Sequence, residues 1–191
     1  MAASPGTLVL SEHLPSNGTL VLTMNVGDVH IVPSPEADRL RVEIHADASL
    51  KEERSWVKQF EVAGDRATVD IQGPKVHEHC VSCYTNRNII VFVPQQTAIK
   101  LQVEIGDVTI KSVKGDKQIR LGIGDLSIGI GDQNEYSRID LSTRIGDLDD
   151  PVYHSEPHGF LGKSETVGRE GRYHLRAHVG IGDLKLLQEK G

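Results

Sequence analysis

The sequence predicts an all-β chain, and more narrowly a β-solenoid, single-stranded and β-helix-like, with short coils of about 18–22 residues. Two observations predict it. A phrase of one aliphatic residue, Gly-Asp, then Val or Leu recurs five times, as Val26-Gly27-Asp28-Val29, Ile105-Gly106-Asp107-Val108, Ile123-Gly124-Asp125-Leu126, Ile145-Gly146-Asp147-Leu148 and Ile181-Gly182-Asp183-Leu184. Gly106 to Gly124 is 18 residues, Gly124 to Gly146 is 22, and Gly146 to Gly182 is 36, twice 18. Apolar and polar residues also alternate on both sides of each copy, the mark of strands with one buried face.

Upstream of the glycine the inward set is expected at one, three and five positions before it: Ile105, Val103 and Leu101; Ile123, Leu121 and Ile119; Ile181, Val179 and Ala177; Val26, Met24 and Leu22. The fourth copy keeps Ile145, Leu141 and Ile139 but carries Thr143 at the middle position. Downstream, apolar residues resume two and four places on, as Val108 and Ile110 or Leu126 and Ile128. One residue is therefore added at every Gly-Asp, which implies a bulge or corner. Glycine suits such a corner because it takes positive φ freely, and Asp suits the next place because its short carboxylate accepts a nearby backbone N–H. Strand, bend and strand make one coil, stabilised by the coils above and below. The alternative is an antiparallel sandwich with Gly-Asp hairpin turns, disfavoured because a hairpin would not keep inward parity through each bend.

The remaining elements follow in order. Asp38 to His45 alternates on Leu40, Val42 and Ile44, and Ser49 to Lys58 is a short helix. Phe60 to Ile71 reads as a hairpin around Ala63-Gly64-Asp65-Arg66, and Asn88 to Val93 is an apolar strand stopped by Pro94. Asp149 to Gly171, with two Pro and four Gly, has the length of one degenerate coil. No linker divides the chain, so residues 1–191 are expected to form one domain, with a repeat core over about 18–187 and the most regular coils at 97–148 and 173–187.

The formal net charge of −6 argues against a nucleic-acid partner, which needs a basic patch. Apolar runs are strand-sized, too short for membrane insertion. Met1 to Thr7 carries no basic n-region, so the expected location is the cytoplasm, with envelope association left open. Two cysteines do not make a disulfide scaffold. The cluster His77, His79, Cys80 and Cys83 supplies ligand types that zinc prefers, and it makes a small metal-binding or redox protein the competing reading. It is half a zinc signature, with disulfide formation and an inert loop as alternatives. No cofactor other than this possible zinc is expected.

Stacking would place Asp28, Asp107, Asp125, Asp147 and Asp183 in a column. Neighbours about 5 Å apart repel by about 0.8 kcal/mol in water and about 3 kcal/mol at an effective dielectric near 20. Such a column has to be solvated, bonded to backbone N–H groups or neutralised by a cation. Backbone capping is the favoured role, because the Gly-Gly-x-Gly-x-Asp calcium pattern is missing. No nucleophile elbow, phosphate loop or His-Glu-x-x-His occurs. His174 and His178 share an outward strand face, and the outward positions as a whole are mixed in charge.

Val91-Phe92-Val93-Pro94 followed by Leu101-Gln102-Val103-Glu104-Ile105-Gly106-Asp107-Val108-Thr109-Ile110 resembles a bacterial putative-adhesin domain family built of repeated Gly-Asp-Val/Leu/Ile coils, a domain of unknown function. Gly159-Phe160-Leu161-Gly162-Lys163 and Gly180-Ile181-Gly182-Asp183-Leu184 look like its closing coils, so the likeness spans about residues 18–187. The resemblance implies a β-solenoid-type fold. The function expected of such a fold is a non-catalytic, adhesin-like scaffold that presents a rigid face to a protein partner or to another copy of itself.

Overall fold

Alternating strands joined by glycine corners make two layers of short strands with one apolar interior between them. The computed structural model describes residues 7–46, 50–73, 87–154, 157–159 and 162–189, without the side chains of 50 and 51. In chain order the strands are β1 (Thr7–His13), β2 (Thr19–Val26), β3 (Asp28–Pro33), β4 (Arg39–Ala46), β5 (Val57–Ala63), β6 (Arg66–Ile71), β7 (Arg87–Val93) and β8 (Ala98–Ile105). They continue as β9 (Val108–Ile110), β10 (Lys117–Ile123), β11 (Leu126–Ile130), β12 (Tyr136–Ile145), β13 (Leu148–Asp149), β14 (Ser164–Gly168), β15 (Tyr173–Ile181) and β16 (Leu184–Gln188). A helix, α1 (Leu50–Trp56), lies between β4 and β5. Sheet I runs β1-β4-β7-β3-β9-β11-β16-β13, and sheet II runs β14-β12-β15-β10-β8-β2-β6-β5.

Five strand pairs cross from sheet II to sheet I through a Gly-Asp corner: β2–β3, β8–β9, β10–β11, β15–β16 and β12–β13. Neighbouring pairs are parallel and in register, so Met24, Val103, Leu121, Val179 and Thr143 line one row and Val29, Val108, Leu126, Leu184 and Leu148 another. Both rows point into the core, where Val103 and Val179 of sheet II and Val29 and Leu184 of sheet I are essentially without solvent contact.

The solenoid expectation is overturned. Both sheets are open and mixed, since β1–β4, β4–β7, β5–β6 and β12–β14 are antiparallel. Nor does each coil lie on the one before it: β15–β16 is inserted between β10–β11 and β12–β13. The fold is β-sandwich-like. The physical reason lies in the repeat itself, which dictates how each rung bends and is the same in every rung, so it does not dictate which rung lies next. The five repeated Gly-Asp corners are not hairpin turns either, for each joins strands of different sheets.

The degenerate-coil reading of 149–171 is corrected as well. The Asp150 carboxylate accepts the N–H groups of Val152 and Tyr153, at 3.1 and 3.0 Å, to form a tight turn. The chain then makes β14, antiparallel to β12 with Ile139 opposite Val167, and returns to place β15 inside the sheet. At the other end, Phe60 faces Val69 and Val62 faces Ala67 in the β5–β6 hairpin, whose turn glycine, Gly64, has φ +63°.

Candidate functional site

The five Gly-Asp corners form one continuous edge of the sandwich. Their glycines have φ between +133° and +140°, a region that side chains rarely adopt. A Cβ on Gly106 would overlap the carbonyl of Gly27, one on Gly124 that of Gly106, one on Gly182 that of Gly124, and one on Gly146 that of Gly182. Glycine is required here twice over, by dihedral and by space.

The backbone bonding repeats at every step. The Gly27, Gly106, Gly124 and Gly182 N–H groups donate to the carbonyls of Ile105, Ile123, Ile181 and Ile145, each at 2.9 Å. The carboxylates bond in the opposite direction: Asp107 N–H donates to Asp28 Oδ1 at 3.0 Å, Asp125 N–H to Asp107 at 2.9 Å, Asp183 N–H to Asp125 at 2.9 Å and Asp147 N–H to Asp183 at 2.8 Å. Asp147, on the last rung, has no following rung to cap, and its Oδ1 meets Lys163 Nζ at 3.2 Å. Except for half-buried Asp28, these carboxylates are exposed, so water screens their mutual repulsion while all but Asp147 hold a neighbour's N–H.

Beside the carboxylates runs a column of isoleucines. Ile105, Ile123, Ile181 and Ile145 stand in register on adjacent strands, after half-buried Val26. Parity predicts them inward. They are instead 43, 46, 46 and 51% exposed, whereas Val103, two residues earlier on β8, is 1% exposed. The chain begins its turn at the residue before the glycine, which swings that side chain onto the outer flank of the corner. The three-step interval across each glycine was the available signal, because a continuous strand cannot keep residues on both sides of an insertion inward. Gly122 and Gly180 precede Ile123 and Ile181, so these two have no side-chain neighbour on that side.

Thr143 faces inward, and its hydroxyl donates to the Gly146 carbonyl at 3.1 Å. His174 and His178 are exposed on the outer face of sheet II, where His178 Nδ1 lies 2.9 Å from Ser142 Oγ. His77, His79, Cys80 and Cys83 lie outside the described residues. Among the described residues no group of three or more His, Cys, Asp or Glu is placed to hold a metal ion, and no helix is long and apolar enough to cross a membrane.

At the opposite edge is a group that periodicity did not reveal. Lys117, at the start of β10, is 2% exposed, and its Nζ donates to the carbonyls of Val113 and Gly115 and to the Tyr136 hydroxyl. Burial brings its pKa down to about 8, with the Glu135 and Asp116 charges partly opposing. Burial also holds the Tyr136 hydroxyl well above the ordinary tyrosine range.

No family model matches the chain, and no curated protein matches it in sequence. Among solved structures, a putative cell adhesion protein from Clostridium sporogenes shares the fold, with a TM-score of 0.60 over 97% of this chain and 100% of that one at 12% identity. A putative adhesin from Bacteroides fragilis spans 96% of this chain and 98% of its own at 12% identity, but its TM-score of 0.33 carries no argument. The clostridial structure therefore supports the sandwich-like fold.

Proposed function

We propose that this chain is a non-catalytic, adhesin-like interaction module that docks through the isoleucine column of the glycine corner. The in-register exposure of four isoleucines carries this reading. A folded protein gains little by repeating a large apolar side chain in water at every rung, and contiguous exposed apolar strips mark interaction sites.

The period of the column selects its partner. Rungs are about 4.8 Å apart, whereas same-face residues of an extended strand recur at about 6.7 Å and helix turns at about 5.4 Å. Only another set of stacked strands stays in step over the full column, and a second copy of this chain supplies one. Four half-exposed isoleucines offer roughly 300 Å² of apolar surface. A stable interface uses about 800 Å² per partner. Single contacts are therefore weak, and strength comes from many chains held together. That behaviour suits adhesion, and the fold shared with the clostridial putative cell adhesion protein agrees with it.

Sedimentation velocity over a wide concentration range tests the proposal. The expected result is reversible, concentration-dependent association that disappears in Ile123→Ser/Ile181→Ser while the melting temperature holds within a few degrees. A wild-type protein that stays monomeric at its highest soluble concentration would overturn it, as would association that the double substitution leaves intact.

A further inference from the structure

The outer face of sheet II carries a trough that the corner does not use. Two adjoining depressions of about 680 and 540 Å³ share Gln118, Asp140 and Arg176 along their common border. Lys100, Gln118, Arg176 and Asp140 make one row across four neighbouring strands, and Gln102, Arg120, His178 and Ser142 make the next. Arg66 and Arg138 line the larger depression.

The charge of this face runs against that of the molecule. The whole chain has a formal charge of −6, yet the trough gathers Arg66, Lys100, Arg120, Arg138 and Arg176 against Asp116, Asp140 and Glu165. Glu165 is buried, and the other two carboxylates are already engaged. Asp140 accepts Arg138 Nε at 2.8 Å, Thr166 Oγ1 at 3.1 Å and one Arg176 nitrogen at 3.4 Å, and Asp116 accepts the His174 backbone N–H at 2.8 Å. Arg66, Lys100 and Arg120 form no ion pair among the described residues. Gln118 and Ser142 add neutral hydrogen-bonding groups beside the cations, and among the described residues no Phe, Tyr or Trp lines either depression.

We infer that this trough binds a linear acidic polysaccharide, one bearing carboxylate or sulfate groups along its length. Unpaired cations spread over several strands match repeated anionic groups better than one compact anion. A concave strip admits a single chain but keeps a flat bilayer at its rim. Glutamine and serine beside the cations suit sugar hydroxyls, and recognition on such a lining relies on charge and hydrogen bonds. This site is separate from the isoleucine column, so either proposal stands if the other fails.

Affinity electrophoresis and titration calorimetry with polygalacturonate at low ionic strength test the inference, with neutral dextran and phosphatidylglycerol vesicles as the other arms. Polygalacturonate is expected to retard and bind the protein, more weakly as salt is added, and dextran to do neither. Lys100→Gln/Arg120→Gln should weaken binding at least tenfold with an unchanged melting temperature. Lys111→Gln/Lys185→Gln, which removes the same charge from sheet I, should change it less than twofold. Three results would overturn the inference: no binding of polygalacturonate, an equal loss in both double variants, or binding to the vesicles without binding to the polysaccharide.

Discussion

The two lateral edges of the sandwich handle charge in opposite ways. At the glycine corner five carboxylates repeat in a column, all but one exposed, each following rung's Asp N–H bonded to the carboxylate before it. At the opposite edge Lys117 is buried among carbonyls and a tyrosine that belong to that place alone. A charge that recurs at every rung has to remain in water, because several like charges about 5 Å apart in a poorly polar interior would repel by several kcal/mol. A buried charge has to be unique, because its donors and acceptors are assembled once, from connecting loops of unequal length. The repeated edge is thus governed by backbone geometry and the unrepeated edge by solvation. Substitutions at the two should fail differently.

The largest effect is expected where the corner is most constrained. Gly124→Ala places a side chain at φ +135° and drives its Cβ into the Gly106 carbonyl, so it should cost about 3 kcal/mol or more in chemical denaturation. Gly64→Ala supplies the contrast. Gly64 also has positive φ, at +63°, but nothing lies within 4 Å of its missing Cβ, and the cost should be only about 1 kcal/mol. Equal costs would mean that the close approach of the rungs contributes nothing beyond the dihedral.

The opposite edge should reveal itself through pH. Lys117 has a folded pKa near 8, below its ordinary 10.5, so the protonated form is the one that folding disfavours. Below pH 8 both states hold the proton and the penalty is fully present. As pH rises from 8 towards 10.5 the folded state releases its proton first, and the penalty is lost. Stability should therefore increase with pH in this window, by about 2 kcal/mol between pH 8 and 10. Tyr136 opposes this above pH 10, because its raised pKa keeps the folded state protonated where the unfolded chain ionises. Lys117→Met should abolish the rise and leave stability at pH 7 within about 1 kcal/mol of the parent, since an apolar replacement removes a buried charge along with its bonds. Denaturation midpoints measured from pH 7 to 10 decide it, and a flat wild-type profile would show that Lys117 is not held as described.

The same division explains what was legible in the sequence. The corner was visible because a requirement of backbone geometry writes the same two residues each time, and the strands around it showed as alternation, down to the hairpin at Gly64-Asp65. Rung order was not visible. An identical phrase at every corner cannot tell β15 that it belongs between β10 and β12, and the excursion through β14 that takes it there carries no periodic signal. The isoleucines were misjudged because parity counts positions along a straight strand, and the path is already turning at Ile105. Lys117 falls at an inward position between Gly115 and Ile119, but charge alone does not announce burial. The trough on sheet II has no signature in the sequence, because its cations come from five strands far apart in the chain and each looks like an ordinary outward residue.

The smallest expected effect separates the two roles of the corner carboxylates. Asp125 Oδ1 accepts the Asp183 N–H, and its own N–H is held by Asp107. Asp125→Ala removes an acceptor and leaves a backbone N–H to water, which should cost about 1 kcal/mol. Asp125→Asn keeps a carbonyl acceptor in the same place and deletes one charge from the middle of the column. If the carboxylates serve as caps and their repulsion is an incidental cost, the asparagine variant should equal or exceed the wild type at low ionic strength. That advantage should shrink as salt screens the column, because the Debye length falls to about 8 Å at physiological ionic strength. Were Asn to be as damaging as Ala, the negative charge itself would be contributing, and the column would have to be regarded as a place where cations gather. The comparison needs only thermal unfolding of three proteins at two salt concentrations, and its sign is fixed by the geometry of a single hydrogen bond.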